Sequence, residues 1–226
     1  MKILITGAAG FIGFNFCKYL LSKTEVHDVF GIDNMNNYYD TNLKKMRLKI
    51  LKKYKKFKYY KIENNEQIKL EKIFKSHKFD FVLNLAAQAG VRYSIDHPRK
   101  YIDSNILGFY NIIENSKKYN VKRLFYASSS SVYGENNSFP LKESENINPK
   151  NIYGLSKKVN EEISQIFNRY YKLKCTGLRF FTVFGEWGRP DMMMMKYINA
   201  HFKKRSFQLN NFGKHTRDFT YIGDVV

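Results

Sequence analysis

A tyrosine and a lysine four residues apart are the pair in this sequence best suited to moving a proton: Tyr153 and Lys157, in Tyr153-Gly154-Leu155-Ser156-Lys157. On a helix, positions i and i+4 share a face, so the ammonium falls near the phenol. A free tyrosine titrates near 10, and acting as a base near pH 7 requires a fall of about 3 units, roughly 4 kcal/mol. A neighbouring ammonium in a dry site is the kind of charge that supplies it. The spacing alone says little in a chain with 17 Tyr and many Lys. It gains meaning from residues 126–134 (YASSSSVYG), which put a run of hydroxyls, Ser129 among them, at the carboxyl end of a predicted strand. Open α/β sheets bind their ligands at that edge.

A second group of residues suits phosphate. Gly7, Gly10 and Gly13, in residues 6–13 (TGAAGFIG), stand between the first predicted strand and the first predicted helix. Glycine permits the tight turn and lets backbone N–H groups approach a pyrophosphate, while the helix N-terminus adds favourable partial charge. Asp33 follows about 20 residues beyond Gly13, at the end of the second predicted strand. A carboxylate at that point suits the adenosine ribose hydroxyls of a dinucleotide. It also repels a 2′-phosphate, so NAD is expected over NADP. Lys44 and Arg47 are expected to lie too far along the next segment to reverse this.

The elements that must position these groups alternate. Strands are expected at 2–6, 26–32, 58–62, 79–85, 123–128 and 174–181, and helices at 11–22, 67–76, 98–119 and 153–171. Strands separated by helices imply crossover units, hence a parallel sheet covered on both faces. After Thr182 the rhythm breaks at Gly185, Gly188 and Pro190; a helix at 192–204, short strands at 207–209 and 217–222, and a turn at 210–213 follow. Asp224 reads as the N-cap of a further helix, so a chain longer than this one is expected.

Composition narrows the classes. The chain has 226 residues, 43% apolar and 16% aromatic, which suits a packed core and excludes a disordered chain. Its 39 Lys+Arg against 20 Asp+Glu give a net charge of +19. The densest basic run, from Lys44 to Lys61, carries Leu43, Met46, Ile50 and Tyr54 at helical spacing, so an amphipathic helix with a solvated basic face is expected. No specific nucleic-acid partner is implied, although a positive field would attract an anionic substrate. Cys17 and Cys175 form no paired motif, which fits a reducing, cytoplasmic setting. No apolar run reaches the roughly 20 residues needed to span a bilayer, and no membrane partner is expected. The five His are scattered without ligand spacing, so no metal is expected, and Met192 to Met195 read as pliable packing, with substrate-pocket lining as the alternative.

The motifs TGAAGFIG, Asp33-Asn34, NLAAQAGVRYS, SSSSVYG, YGLSK, GLRFFTVFGEWGRPDM and RDFTYI occur in that order along the chain. In this the sequence resembles the extended short-chain dehydrogenases/reductases, in their nucleotide-sugar epimerase/dehydratase group, over residues 1–226. The resemblance implies an α/β fold with a Rossmann-type doubly wound parallel sheet. Residues 1–182 would bind NAD, and 183–226 would begin a partial, C-terminally truncated substrate-binding subdomain. Gly7, Gly10, Phe11, Ile12 and Gly13 would hold the pyrophosphate, and Asp33 and Asn34 the adenosine ribose. Glu63 stands where the family usually has Asp, towards the adenine. Leu85, Ala86, Ala87 and Gln88 would line the nicotinamide side with Asn105 beneath. Ser129, Tyr153 and Lys157 would be catalytic, with Tyr153 as base and Lys157 also on the nicotinamide ribose.

For the substrate, the resemblance implies a UDP-sugar met by Arg92, Ser129, Thr182, Arg189 and Arg217, with Thr182 and Arg189 towards a sugar carboxylate. The stretches AAQAGVRYS and RFFTVFGEWGRPDM are similar to the branch acting on UDP-linked hexuronic acids. They imply interconversion of UDP-glucuronate and UDP-galacturonate by transient oxidation at C4. A 4-epimerase of neutral UDP-hexoses, a 4,6-dehydratase and an inactive NAD-binding fragment are the alternatives. A homodimer through helices within 98–119 and 153–171 is also implied.

Overall fold

The computed structural model describes residues 1–23, 28–135, 139–214 and 216–226. Strands β1 (Lys2–Thr6), β2 (Asp28–Ile32), β3 (Phe57–Tyr60), β4 (Phe81–Asn84), β5 (Arg123–Ala127) and β6 (Cys175–Leu178) form one parallel sheet in the order β3-β2-β1-β4-β5-β6. This is the strand order of a Rossmann-type sheet, and it reverses between β1 and β4. Val26, His27 and His215 lie outside the described residues. A separate parallel pair joins β7 (Thr182–Phe184) to β8 (Phe219–Tyr221).

Both faces of the main sheet are covered, which is why its strands read as near-continuous apolar runs. Successive side chains point to opposite faces. Leu4, Phe30, Val82 and Leu124 thus join one core with α3 (Gln67–His77), α6 (Gly108–Lys118) and α7 (Ile152–Tyr171). Ile3, Ile5, Val29 and Leu83 join the other with α1 (Phe11–Ser22) and α2 (Thr41–Leu51). Two side chains fix where helices begin. Asp40 accepts from the Asn42 N–H at 2.8 Å to start α2, and Asn151 Oδ1 accepts from the Gly154 N–H at 2.8 Å to start α7.

Several expectations fail, each for a physical reason. The basic run is not one helix with a solvated face: α2 ends at Leu51 and β3 begins at Phe57. Its inward face holds Lys44, Arg47, Leu48 and Leu51, while Met46 is exposed, because polar groups outside the helix capture the two cations. The expected single helix at 98–119 follows α4 (Tyr93–Asp96) and is interrupted. It starts as α5 (Pro98–Tyr101), passes through a π-helical segment (Ile102–Leu107) and resumes as α6. The wider turn re-aims the buried face, so Asn105 is buried and Ile102 exposed. Residues 207–209, expected as a strand, are irregular between α8 (Met193–Phe202) and the 3₁₀ turn Asn210–Gly213. Asp224 is not an N-cap; it lies in the first turn of α9 (Ile222–Val225), whose N-cap is Tyr221.

The core makes one direct prediction. Ile112 is fully buried on α6 against the sheet. Ile112→Ala should lower the unfolding free energy by about 2–5 kcal/mol, read from the shift of the urea midpoint at unchanged slope.

Candidate active site

A cavity of about 250 Å³ opens along the carboxyl edge of the sheet where the strand order reverses. Its floor is the turn between β1 and α1. Gly7 there has φ +70°, and a Cβ on it would stand 2.9 Å from the Ala86 backbone N. A Cβ on Gly13 would fall 2.2 Å from the Gly7 carbonyl oxygen. α1 has Gly10 as its N-cap, with no side-chain cap and no acidic residue in its first turn. A bare floor beneath uncapped helical N–H groups fits a pyrophosphate.

One wall comes from β2. Asp33, 6% exposed, accepts from the Ala9 N–H at 3.1 Å and the Met35 N–H at 2.8 Å, so the carboxylate also braces the glycine turn. Asn34 donates to Glu63 Oε1 at 3.3 Å on the exposed rim. Lys44 is not remote, as the sequence suggested. Its Nζ stands 3.8 Å from Asp33 Oδ1 and 2.9 Å from Asn36 Oδ1 inside the cavity. Burial pulls the Lys44 pKa below its ordinary value, against the opposing pull of Asp33.

The opposite wall carries the chemistry. Leu85, Ala86, Ala87 and Gln88 line it beyond β4. Asn105 lies behind them: it accepts from the Gln88 N–H at 2.7 Å and donates to the Gln88 carbonyl at 3.1 Å and to Ser156 Oγ at 3.0 Å. Beyond β5, Ser128 donates inward to Glu161, which Arg179 holds with two bonds of 3.0 and 2.9 Å. The next residue, Ser129, lines the cavity and accepts from the Ser131 N–H at 3.1 Å, which leaves its O–H proton to donate. Tyr153 and Lys157, on the first turns of α7, line the same wall. Lys157 is 3% exposed; its Nζ donates to the Ala127 carbonyl at 2.8 Å and lies 5.9 Å from the Tyr153 ring centre. Burial pulls the Lys157 pKa down to about 8. A phenol, a buried ammonium and a hydroxyl facing a phosphate cradle can take a proton from a substrate alcohol and return it.

Arg189 lines the cavity too, but already grips a carboxylate. Its Nε and Nη2 reach the two oxygens of Asp191 at 3.0 and 2.5 Å, and the Tyr38 hydroxyl donates to Asp191 Oδ2 at 3.2 Å. Burial opposes the Arg189 charge, yet Asp191 holds its pKa above the ordinary value. Other expected substrate contacts are not brought in. Arg92 and Arg217 are exposed and outside the lining, and Thr182 is half-buried in β7 between Phe181 and Val183, which do line the cavity. Sequence reasoning missed Tyr38, Tyr39, Phe181 and the position of Lys44. Met192 lines the cavity, in line with the alternative reading of the Met192–Met195 run. Among the described residues no group of three His, Cys, Asp or Glu could hold a metal ion, and no helix is long and apolar enough to cross a membrane.

Comparison with known proteins adds four likenesses. Residues 3–226 match the NAD dependent epimerase/dehydratase family. Protein CapI of Staphylococcus aureus is 48% identical over the whole of this chain, which spans 67% of that protein. A probable UDP-glucuronate 4-epimerase of Rhizobium meliloti is 40% identical, again over the whole chain and 66% of the relative. A UDP-glucuronic acid 4-epimerase from Bacillus cereus, solved in complex with UDP-glucuronic acid and NAD, superposes with a TM-score of 0.94 at 33% identity, covering 100% of this chain and 70% of that one. The chain thus spans about two thirds of the length of the proteins it resembles.

The buried Lys157 predicts a pH dependence. Its folded pKa of about 8 lies below the 10.5 of an ordinary lysine, so between those limits the unfolded chain binds the extra proton. Stability of the unliganded protein should therefore rise from pH 8 to 10.5 by up to about 3 kcal/mol, relative to a Lys157→Met variant. Paired urea titrations across that range check it; parallel pH curves for the two proteins would contradict it.

Proposed function

The chain belongs to the NAD dependent epimerase/dehydratase family, and from that premise we propose that it interconverts UDP-glucuronate and UDP-galacturonate by a redox cycle at C4 of the sugar. The observation that carries the reading is that Ser129, Tyr153 and Lys157 face the glycine turn across one cavity. Gly7, Gly10, Phe11, Ile12 and Gly13 would hold the pyrophosphate of NAD. Asp33, Asn34 and the Glu63 rim would take the adenosine half, and Leu85 to Gln88, backed by Asn105, the nicotinamide half. When bound, NAD supplies the acceptor and donor of hydride at C4.

The chain's own residues supply the rest. Tyr153 takes the C4 hydroxyl proton as base, and the Lys157 ammonium one turn away favours the phenolate it needs. Ser129 donates a hydrogen bond to the developing C4 oxygen. The 4-keto sugar then presents its other face, and Tyr153 returns the proton to O4. A 4-keto uronate is a β-keto acid, prone to lose carbon dioxide. Arg189, and Thr182 from β7, would hold the carboxylate where that loss is disfavoured. Arg92 and Arg217 would meet the UDP-sugar from outside the lining. Residues 1–182 act as the dinucleotide unit and 183–226 begin the sugar-binding part. Exposed Ile102, Leu107, Tyr110, Leu155, Ile166 and Tyr170 on the 98–119 and α7 helices support a homodimer. The two unpaired cysteines support a cytoplasmic setting.

One observation favours a second reading. Arg189 is already satisfied by Asp191, so a neutral UDP-hexose would leave no cation unpaired. Anion-exchange chromatography after incubation with NAD and either UDP-glucuronate or UDP-glucose separates the two. The uronate should be converted, and Tyr153→Phe should slow conversion by about 10²–10⁴-fold. Conversion of UDP-glucose alone supports the second reading. Arg189→Ala should release carbon dioxide and a UDP-pentose; its absence counts against the carboxylate role.

A further inference from the structure

Arg47 is the largest fully buried side chain among the described residues, at 0% exposed. Burying a guanidinium is costly unless each N–H finds an acceptor. None of its acceptors is a carboxylate. Nη1 donates to the Ala9 carbonyl at 2.9 Å and to the Tyr39 hydroxyl at 2.8 Å. Nη2 donates to the Trp187 carbonyl at 2.5 Å and the Gly188 carbonyl at 3.4 Å. Nε is buried without a partner. Ala9 belongs to the glycine turn, and Trp187 and Gly188 directly precede Arg189. One rigid fork thus joins the phosphate floor to a segment some 140 residues away in sequence.

That segment needs an outside hold. Gly185 has φ +137° and Trp187 φ +62°. A bulky residue at positive φ is strained and persists only where its surroundings over-determine it. Trp187 packs edge-on against Phe14 at 5.4 Å, Asn15 donates to the Glu186 carbonyl at 3.3 Å and the Tyr221 hydroxyl to the Glu186 carboxylate at 3.1 Å, while from α2 Arg47 holds the Trp187 and Gly188 carbonyls. We infer that Arg47 is a positioning residue that locks the 185–188 turn to the glycine loop and so fixes where the Arg189 guanidinium stands in the cavity. Lysine would keep the charge but could not span both loops.

The inference rests on the proposed carboxylate role of Arg189 for its binding consequence alone; the lock itself is read without substrate. The test uses the whole chain and Arg47→Lys. In hydrogen exchange without ligand, amides of 185–188 should exchange at least about tenfold faster in the variant, with β1 and β4 amides unchanged. In calorimetry on NAD-loaded protein, UDP-glucuronate should bind at least about tenfold more weakly and UDP-glucose within about threefold of wild type. A merely structural loss would weaken both sugar nucleotides alike. Unchanged exchange at 185–188, or equal weakening of the two nucleotides, overturns the inference. A wild-type chain that binds neither nucleotide sinks the proposed function, while the exchange measurement still decides the lock. If Arg47→Lys does not fold, Tyr39→Phe removes one acceptor from Nη1 and should speed the same amides by about threefold; no change would overturn the lock equally.

Discussion

A parallel sheet whose strand order reverses must part at the reversal, because the connections from the two neighbouring strands leave to opposite faces. Here that place is between β1 and β4. The crevice it forces is where the glycine turn, Asp33, the 85–88 stretch and the α7 pair meet. Small contacts hold its edges in register. The Thr6 hydroxyl donates to Asn84 at 2.6 Å and accepts from the Ala86 N–H at 3.0 Å, joining β1 to β4, while Asp33 joins β2 to the turn. Chemistry at this edge therefore depends on topology first and on side chains second.

Charge is the second constraint. Lys44, Arg47, Arg189 and Lys157 are placed in or against the crevice, where Asp33, Asp191 and, on the rim, Glu63 are facing carboxylates. Desolvation weighs against each of these cations. A ligand carrying a pyrophosphate would offset that imbalance, so binding and stability are linked in the same direction. The surplus of +19 over the whole chain adds a field that attracts anions to the protein. The Glu161–Arg179 pair behind Ser128 is different: its charges neutralise one another, and Glu161 accepts the hydrogen bond of the Ser128 hydroxyl, while Ser128 and Ser129 both line the opening.

What was legible in the sequence was local. The glycine turn, Asp33 and the Tyr153–Lys157 pair follow from spacing on single elements, and the strands follow from short apolar runs. What was not legible depends on partners far along the chain. The inward face of α2 is chosen by Asp33, Ala9 and the 187–188 carbonyls, so apolar spacing pointed Met46 inward and Lys44 outward, the reverse of what is found. The π segment before α6 carries no composition mark, yet it turns Asn105 inward to brace Gln88. Family resemblance located Arg189 in the cavity but gave no sign of Asp191 on it, and it placed Arg92 and Arg217 at a site whose lining does not include them.

The most direct measurement follows the hydrogen at C4. UDP-glucuronate carrying deuterium at C4 would be incubated with the protein and NAD and the products read by NMR. The expected result is UDP-galacturonate with its deuterium retained at C4, delivered back on the other face. Product in which deuterium has washed out to solvent, or turnover that survives replacement of the Tyr153 phenol, would contradict a hydride cycle run by this crevice.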